Sequence, residues 1–135
     1  MNRALDTNVV VAALRGRASE GMVRRFRETE PGKLFVPEVV RAELLHGCLR
    51  SARPKRNVEA VERFIGPFRR LPFDGASVEH YAQIRAELEL RGRVIGPNDL
   101  LIAATARAAG VILVTNNLSD FQRVSGLECE DWMSE

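Results

Sequence analysis

The chain has 135 residues, 45% of them hydrophobic and 28% charged, with 20 Lys and Arg against 18 Asp and Glu for a net charge of +2. So much apolar content with so little net charge excludes an intrinsically disordered chain, and the length suits a single domain, residues 1–135, that buries a core without disulfide or metal staples. No apolar run nears the roughly 18 residues of a membrane span, Asp6 and Asn8 interrupt any secretory leader, and Cys48 and Cys129 fit neither a disulfide framework nor a metal motif, so a soluble cytoplasmic protein is expected.

In chain order, a short apolar stretch ends at Asp6, and Thr7-Asn8 precedes the run Val9 to Leu14. Asp, Thr and Asn are helix-capping types, so a buried strand over residues 3–6 feeds a helix, with the acid at the strand's carboxyl end. Ser19 to Glu28 reads as an amphipathic helix with Met22, Val23 and Phe26 inward and Arg24, Arg25 and Arg27 outward. Lys33 to Pro37 reads as a second strand, with Leu34, Phe35 and Val36 bounded by Gly32 and Pro37. The helix that follows carries Val39, Val40, Leu44 and Leu45 on its apolar face with Glu43 beside it, and Gly47 with the basic run 50–56 closes it.

A further helix starts near Pro54, with Val58, Val61, Ile65 and Phe68 at helical spacing. Leu71 to Phe73 reads as a short strand, and Asp74 caps a helix striped by Val78, Tyr81, Ile84 and Leu88 that ends at Gly92. Gly96-Pro97-Asn98-Asp99 then opens a helix through Leu100 to Ala106 that is apolar all round and so buried. Gly110 stops it, Val111 to Thr115 is a β-branched strand, Asp120 lies one turn after Asn116-Asn117, Leu127 to Cys129 is an edge strand, and residues 130–135 form a polar tail holding the only Trp. Strands alternating with helices at this spacing predict an α/β layer fold with a mainly parallel sheet, in which ligands bind outside the carboxyl ends of the strands.

The small net charge hides a segregation. Residues 1–70 hold 15 basic against 8 acidic side chains, a balance of +7, while residues 71–135 hold 5 against 10, a balance of −5. Eighteen of the 20 basic residues are Arg, whose planar fork suits phosphate or carboxylate. Four acids, Asp6, Glu43, Asp99 and Asp120, fall at junctions of elements rather than on solvated helix faces. Carboxylates gathered there repel one another unless a cation compensates, and an all-oxygen set without His or Cys selects a hard ion, Mg²⁺ or Mn²⁺ in its place. Such an ion acidifies water and stabilises in-line phosphoryl displacement, which points to hydrolysis of a phosphodiester held by the Arg-rich half.

Leu5-Asp6-Thr7-Asn8, Ala42-Glu43-Leu44, the segment Gly96-Pro97-Asn98-Asp99-Leu100-Leu101-Ile102-Ala103-Ala104, and Leu113-Val114-Thr115-Asn116-Asn117 with Asp120-Phe121 together resemble the PIN-domain ribonucleases, and more narrowly the VapC toxins of type II toxin-antitoxin modules. The likeness runs through nearly the whole chain, including Ile84 to Leu88 and Arg123 to Leu127. It implies a three-layer α/β/α fold around a twisted, mainly parallel sheet, Mg²⁺-dependent endonucleolytic cleavage of RNA, a homodimer, a VapB-type antitoxin, and operator DNA reached only through that antitoxin. By the same likeness Asp6 and Asp99 are the principal metal ligands. Glu43 completes the cluster, either through a water on the metal or by orienting the nucleophile. Many PIN domains carry an acid where this chain has Asn117, so Asp120 is the nearest carboxylate there and a second metal has less charge to hold it.

Thr7, Asn8 and Thr115 are second-layer donors in this reading, while His46 and His80 are structural or on the surface. Val58, Val61, Phe64, Ile65 and Phe68 exceed what one helix face buries and serve the core or a partner groove. Aspartyl-nucleophile phosphatases need an acid two residues after the first, where Asn8 stands, and receiver domains need a Lys near the last strands, whereas Lys33 and Lys55 are the only lysines. The competing reading is a non-catalytic PIN-like module that binds RNA or protein. The presence of Asp6, Glu43 and Asp99 argues against it, since a clustered set of buried acids is costly to keep without a metal.

Overall fold

The computed structural model describes residues 1–133. Strand β1 (Arg3–Leu5) leads into α1 (Thr7–Leu14) and α2 (Glu20–Glu28), and a 3₁₀ turn at Pro31–Lys33 precedes β2 (Leu34–Pro37). Then follow α3 (Glu38–Leu49), α4 (Pro54–Ile65), β3 (Arg69–Leu71), α5 (Gly75–Leu90), α6 (Pro97–Ala109), β4 (Ile112–Val114), α7 (Leu118–Phe121) and β5 (Cys129–Glu130). The five strands form one parallel sheet in the order β3-β2-β1-β4-β5. Helices cover it to give a three-layer α/β/α fold, as expected of parallel strands that must be buried on both faces.

Burial follows from composition. Every residue of β2 and β4 is buried, and Ala4 and Leu5 of β1 are wholly inaccessible. Helix α6 buries Leu100 and the consecutive run Ile102 to Ala106, so it lies inside the molecule, its alanines allowing close approach to the neighbouring chain. Thr105, the one polar residue of that run, donates its hydroxyl back to the Leu101 carbonyl at 2.7 Å. Gly110 ends α6 in the left-handed region at φ 67°, where a side chain would be strained, and the turn redirects the chain into β4. Ser19 and Asp74 cap α2 and α5 by accepting from Met22 N at 3.1 Å and Ser77 N at 3.0 Å.

The strand order places the site. From β1 the chain builds outward through β2 and β3, then returns to add β4 and β5 on the other side, so the connections leaving β1 and β4 diverge at the carboxyl ends of two adjacent strands. That crevice is where open parallel sheets bind ligands. Asp6 follows β1 there and Thr115 follows β4, with Asp6 N donating to the Val114 carbonyl at 2.9 Å.

Several local expectations are corrected. Val23 and Val78 are exposed, the inward position on α5 being taken by Ser77, four residues before Tyr81 and seven before Ile84. Strand β3 lies at Arg69–Leu71 rather than Leu71–Phe73, and β5 at Cys129–Glu130 rather than Leu127–Cys129, because the registers Phe35↔Arg69 and Leu113↔Cys129 are set by the buried partner strand. Gly47 does not end α3, which runs to Leu49. Most of the expected polar tail packs instead: Trp132 is 2% exposed, stacks edge-on against Phe26 with ring centroids 5.2 Å apart, and donates its indole N–H to Glu130 at 3.1 Å. Phe26 also meets Phe64 and Phe68, so these apolar residues join the core through the tail. Ser134 and Glu135 lie outside the described residues. Among the described residues no helix is long and apolar enough to cross a membrane.

Candidate active site

Asp6 is the N-cap of α1 and is 4% exposed. Its Oδ1 accepts from the Thr7 backbone N–H at 2.8 Å and its Oδ2 from the Thr115 hydroxyl at 2.7 Å. Burial pushes its carboxyl above the ordinary range; the Thr115 and Thr7 donors pull it back down, and the Glu43 charge adds a smaller upward push. The Thr115 hydroxyl also accepts from the Asn117 backbone N–H at 2.9 Å, so its one proton is left for Asp6.

Glu43 stands on α3 and reaches the same crevice. Its Oε1 accepts from the Thr7 hydroxyl at 2.6 Å, and its Oε2 from the Asn98 side-chain amide at 3.0 Å. Thr7 therefore ties two acids together, its N–H on Asp6 and its O–H on Glu43. Asn98 ties Glu43 to the first turn of α6.

Asp99 is the third residue of α6, whose N-terminus favours a carboxylate. Its carboxyl is nonetheless pushed up to about 6, first by burial and then by the charges of Asp6, Glu43 and Asp120. Asp99 thus lies within electrostatic reach of the other three expected acids, Asp6, Glu43 and Asp120. Asp99 alone among them accepts no hydrogen bond from the described residues. Asp120, on α7, is already engaged: Asn117 Nδ2 donates to its Oδ2 at 3.1 Å, and Arg123 Nη2 lies 3.5 Å from its Oδ1. Among the described residues no three acid, imidazole or thiol groups form a ready-made metal cage.

Thr7 and Thr115 occupy the donor roles expected of them, whereas Asn8 is exposed and makes no side-chain hydrogen bond among the described residues. Asn98 and Arg123 hold site acids without having been singled out. The signal for Asn98 was its place in the first turn of a buried helix, next to Asp99. For Arg123 it was the spacing of three from Asp120. Beside Glu43 the surface opens into a hollow of about 500 Å³ bordered by Arg15, His46 and Arg50, so His46 lies at the rim of the site rather than in it. His80 is structural, accepting from Arg107 Nε at 2.8 Å.

An all-oxygen cluster at the divergence point of a parallel sheet, beside arginines, defines a class, and the chain belongs to the PIN-domain family, whose model matches residues 3–127. Within that family it stands with the VapC ribonucleases. It is 40% identical over 128 residues to the tRNA(fMet)-specific endonuclease VapC of Shigella flexneri, covering 95% of this chain and 96% of that protein. It is 40% identical over 129 residues to ribonuclease VapC2 of Haemophilus influenzae, covering 96% of each. Among solved structures it superposes on the DNA-bound VapBC complex of Salmonella typhimurium with a TM-score of 0.91 at 35% identity, over 98% of both chains. A VapBC2 complex of Rickettsia felis bound to a promoter DNA fragment gives the same TM-score at 31% identity.

Proposed function

We propose that the protein is a Mg²⁺-dependent endoribonuclease, the toxin of a type II toxin-antitoxin module, that hydrolyses RNA phosphodiester bonds at Asp6, Glu43 and Asp99, with Asn117 and Asp120 at the rim. The observation that carries this is Asp99, a half-buried carboxylate without a donor, raised to about 6 among three like charges. A cluster that costs this much as it stands fits a bound cation, and Mg²⁺ asks for only one or two carboxylates, keeping water and substrate oxygens as its other ligands. Asp6 and Asp99 would hold it, and Mn²⁺ would substitute. When bound, such an ion lowers the pKa of water and stabilises charge on the attacking and leaving oxygens.

The rest is done by the chain. Thr115 and the Thr7 N–H fix both oxygens of Asp6 and favour its ionised form. Glu43, held at both oxygens by Thr7 and Asn98, keeps lone pairs free to orient the attacking water and accept its proton. Asn117 adds no charge and Asp120 shares its own with Arg123, so the cluster balances one divalent ion rather than two. Two of the solved relatives, from Salmonella typhimurium and Rickettsia felis, are VapBC complexes bound to DNA. By that likeness a VapB-type antitoxin covers this chain as a homodimer and carries it to operator DNA.

The test is cleavage of tRNA(fMet), the substrate in the Shigella relative's name, and of total RNA. Purified protein should cut with Mg²⁺ and stop with EDTA, and Asp99→Asn should lose at least about 100-fold in rate and no longer arrest growth. Full activity in Asp99→Asn, or cleavage that persists in EDTA, overturns the site.

A further inference from the structure

The acid cluster repels the substrate it is built to cut, so the phosphates flanking the scissile one need positive charge close by. On the Asp120 side, a hollow of about 270 Å³ lies between the end of α5 and α7, lined by Arg91, Arg93, Ser119, Gln122 and Arg123. Every one of these side chains carries a hydrogen-bond donor and none is an acid. We propose that this hollow is a phosphate-binding subsite that grips the RNA backbone next to the cleavage site; the proposal rests on the ribonuclease reading above and says where the neighbouring phosphodiester of its substrate sits.

Two of the three guanidinium groups are held in place without being used up. Arg91 Nη2 donates to the Arg123 carbonyl at 2.7 Å and lies 3.2 Å from Glu87, which leaves most of its five N–H donors free. Arg123 gives Nη2 to Asp120 at 3.5 Å, while its Nε is buried and has no partner. An unpaired buried donor is costly, so Arg123 sits here with hydrogen-bonding capacity unspent. Arg93 makes no side-chain hydrogen bond or ion pair among the described residues and stands exposed at the mouth. Counting Glu87 and Asp120 against the three arginines leaves a surplus of one positive charge. By contrast Arg41 and Arg70 form a closed set with Glu38 and Glu62 and have no charge to spare. Arg123 lines the hollow and pairs with Asp120, whose charge reaches Asp99, so a phosphate gripped here lies on the Asp120 side of the acids.

The experiment changes Arg93, which holds nothing else in place. Anisotropy of a short labelled single-stranded RNA is titrated with the full chain in EDTA across a range of salt, alongside steady-state cleavage in Mg²⁺. At ~0.7 counterions released per single-strand phosphate contact, Arg93→Ala should flatten the slope of log K against log salt by ~0.7 and weaken binding about fourfold at ~0.15 M salt; Arg93→Glu should weaken it about fourteenfold. Arg93→Lys should restore the slope, and KM should rise with kcat unchanged. Unaltered binding, slope and KM in Arg93→Ala and Arg93→Glu would overturn the subsite, as would an effect confined to antitoxin affinity, which would make the hollow a seat for an acidic protein segment. Failure of the ribonuclease reading is distinguishable. A wild-type protein that binds RNA with an Arg93-dependent slope but cuts nothing keeps the subsite and loses the enzyme.

Discussion

The two ends of α6 treat charge in opposite ways. At the C-terminal end Arg107 donates Nε to His80 at 2.8 Å, Nη1 to the Ser125 carbonyl at 3.0 Å and Nη2 to Gln83 at 2.9 Å, where the helix dipole also favours a cation. At the N-terminal end Asp99 has the favourable dipole but no donor, and burial, with three carboxylates of its own sign, pushes it up to about 6. One end clamps α5, α6 and the approach to β5 with all three Arg107 nitrogens donating to fixed acceptors. The other, at the crevice between β1 and β4, is left short of positive charge. A helix buried along its length joins a region that serves stability to one that gives some stability up for function.

The sharpest way to break this contrast is Thr115→Val, which keeps the shape and removes the hydroxyl that both Asp6 and the Asn117 N–H use. With two polar groups left unpaired it should cost about 2–3 kcal/mol in denaturant unfolding, and 10–100-fold in cleavage because Asp6 loses its orientation. Thr115→Ser should recover most of both. At the far end Arg107→Ala should cost about 2 kcal/mol while leaving kcat per folded molecule unchanged. A fall in its kcat would mean that the two ends of α6 are coupled and the division is false.

Much of this site was legible because capping residues and strand ends mark themselves. Asp6 after an apolar strand and Asp99 after Gly96-Pro97 are positions that local chemistry fixes, and Gly110 likewise fixed the end of α6. What stayed hidden depends on partners remote in sequence. Strand β3 is Arg69-Arg70-Leu71, whose own pattern is polar; only pairing with the buried β2 makes it a strand, whereas local hydrophobicity favours the apolar stretch beginning at Leu71. Val78 suited a stripe, yet Ser77 is inward because it both caps with Asp74 and faces the core. The grip of Asn98 on Glu43 joins residues 55 positions apart, and the burial of Trp132 needs Phe26, which no local periodicity encodes.

Asp99→Asn sharpens the contrast in the other direction, since it removes a like charge rather than a contact. It should raise Tm by roughly 2–4 °C at neutral pH, a figure discounted for the partial exposure of the site, while abolishing activity. Added Mg²⁺ should raise the Tm of the wild type more than that of the variant, because an ion bound only to the folded state stabilises it by mass action.

The smallest effect is the pH dependence of that difference. Asp99 has an ordinary carboxyl value of 3.8 when unfolded and about 6 when folded, so between these the folded state binds more protons and stability falls as pH rises. Below the window Asp99 is protonated in both states and resembles the Asn of the variant, so the two proteins should melt together. Above it the wild type should be the less stable by a constant amount. Acids whose folded values are lowered, such as Glu130 beside Arg3, work the opposite way, losing stability as pH falls, and they are common to both proteins. The subtraction therefore isolates Asp99 together with its coupling to Asp6, Glu43 and Asp120. Melting both proteins in EDTA from acid to mildly alkaline pH should show the gap opening up to about pH 6 and then holding, and Mg²⁺ should shrink it. A gap that does not change with pH would remove Asp99 from the company of Asp6, Glu43 and Asp120, and with it the electrostatic case for a cation at this end of α6.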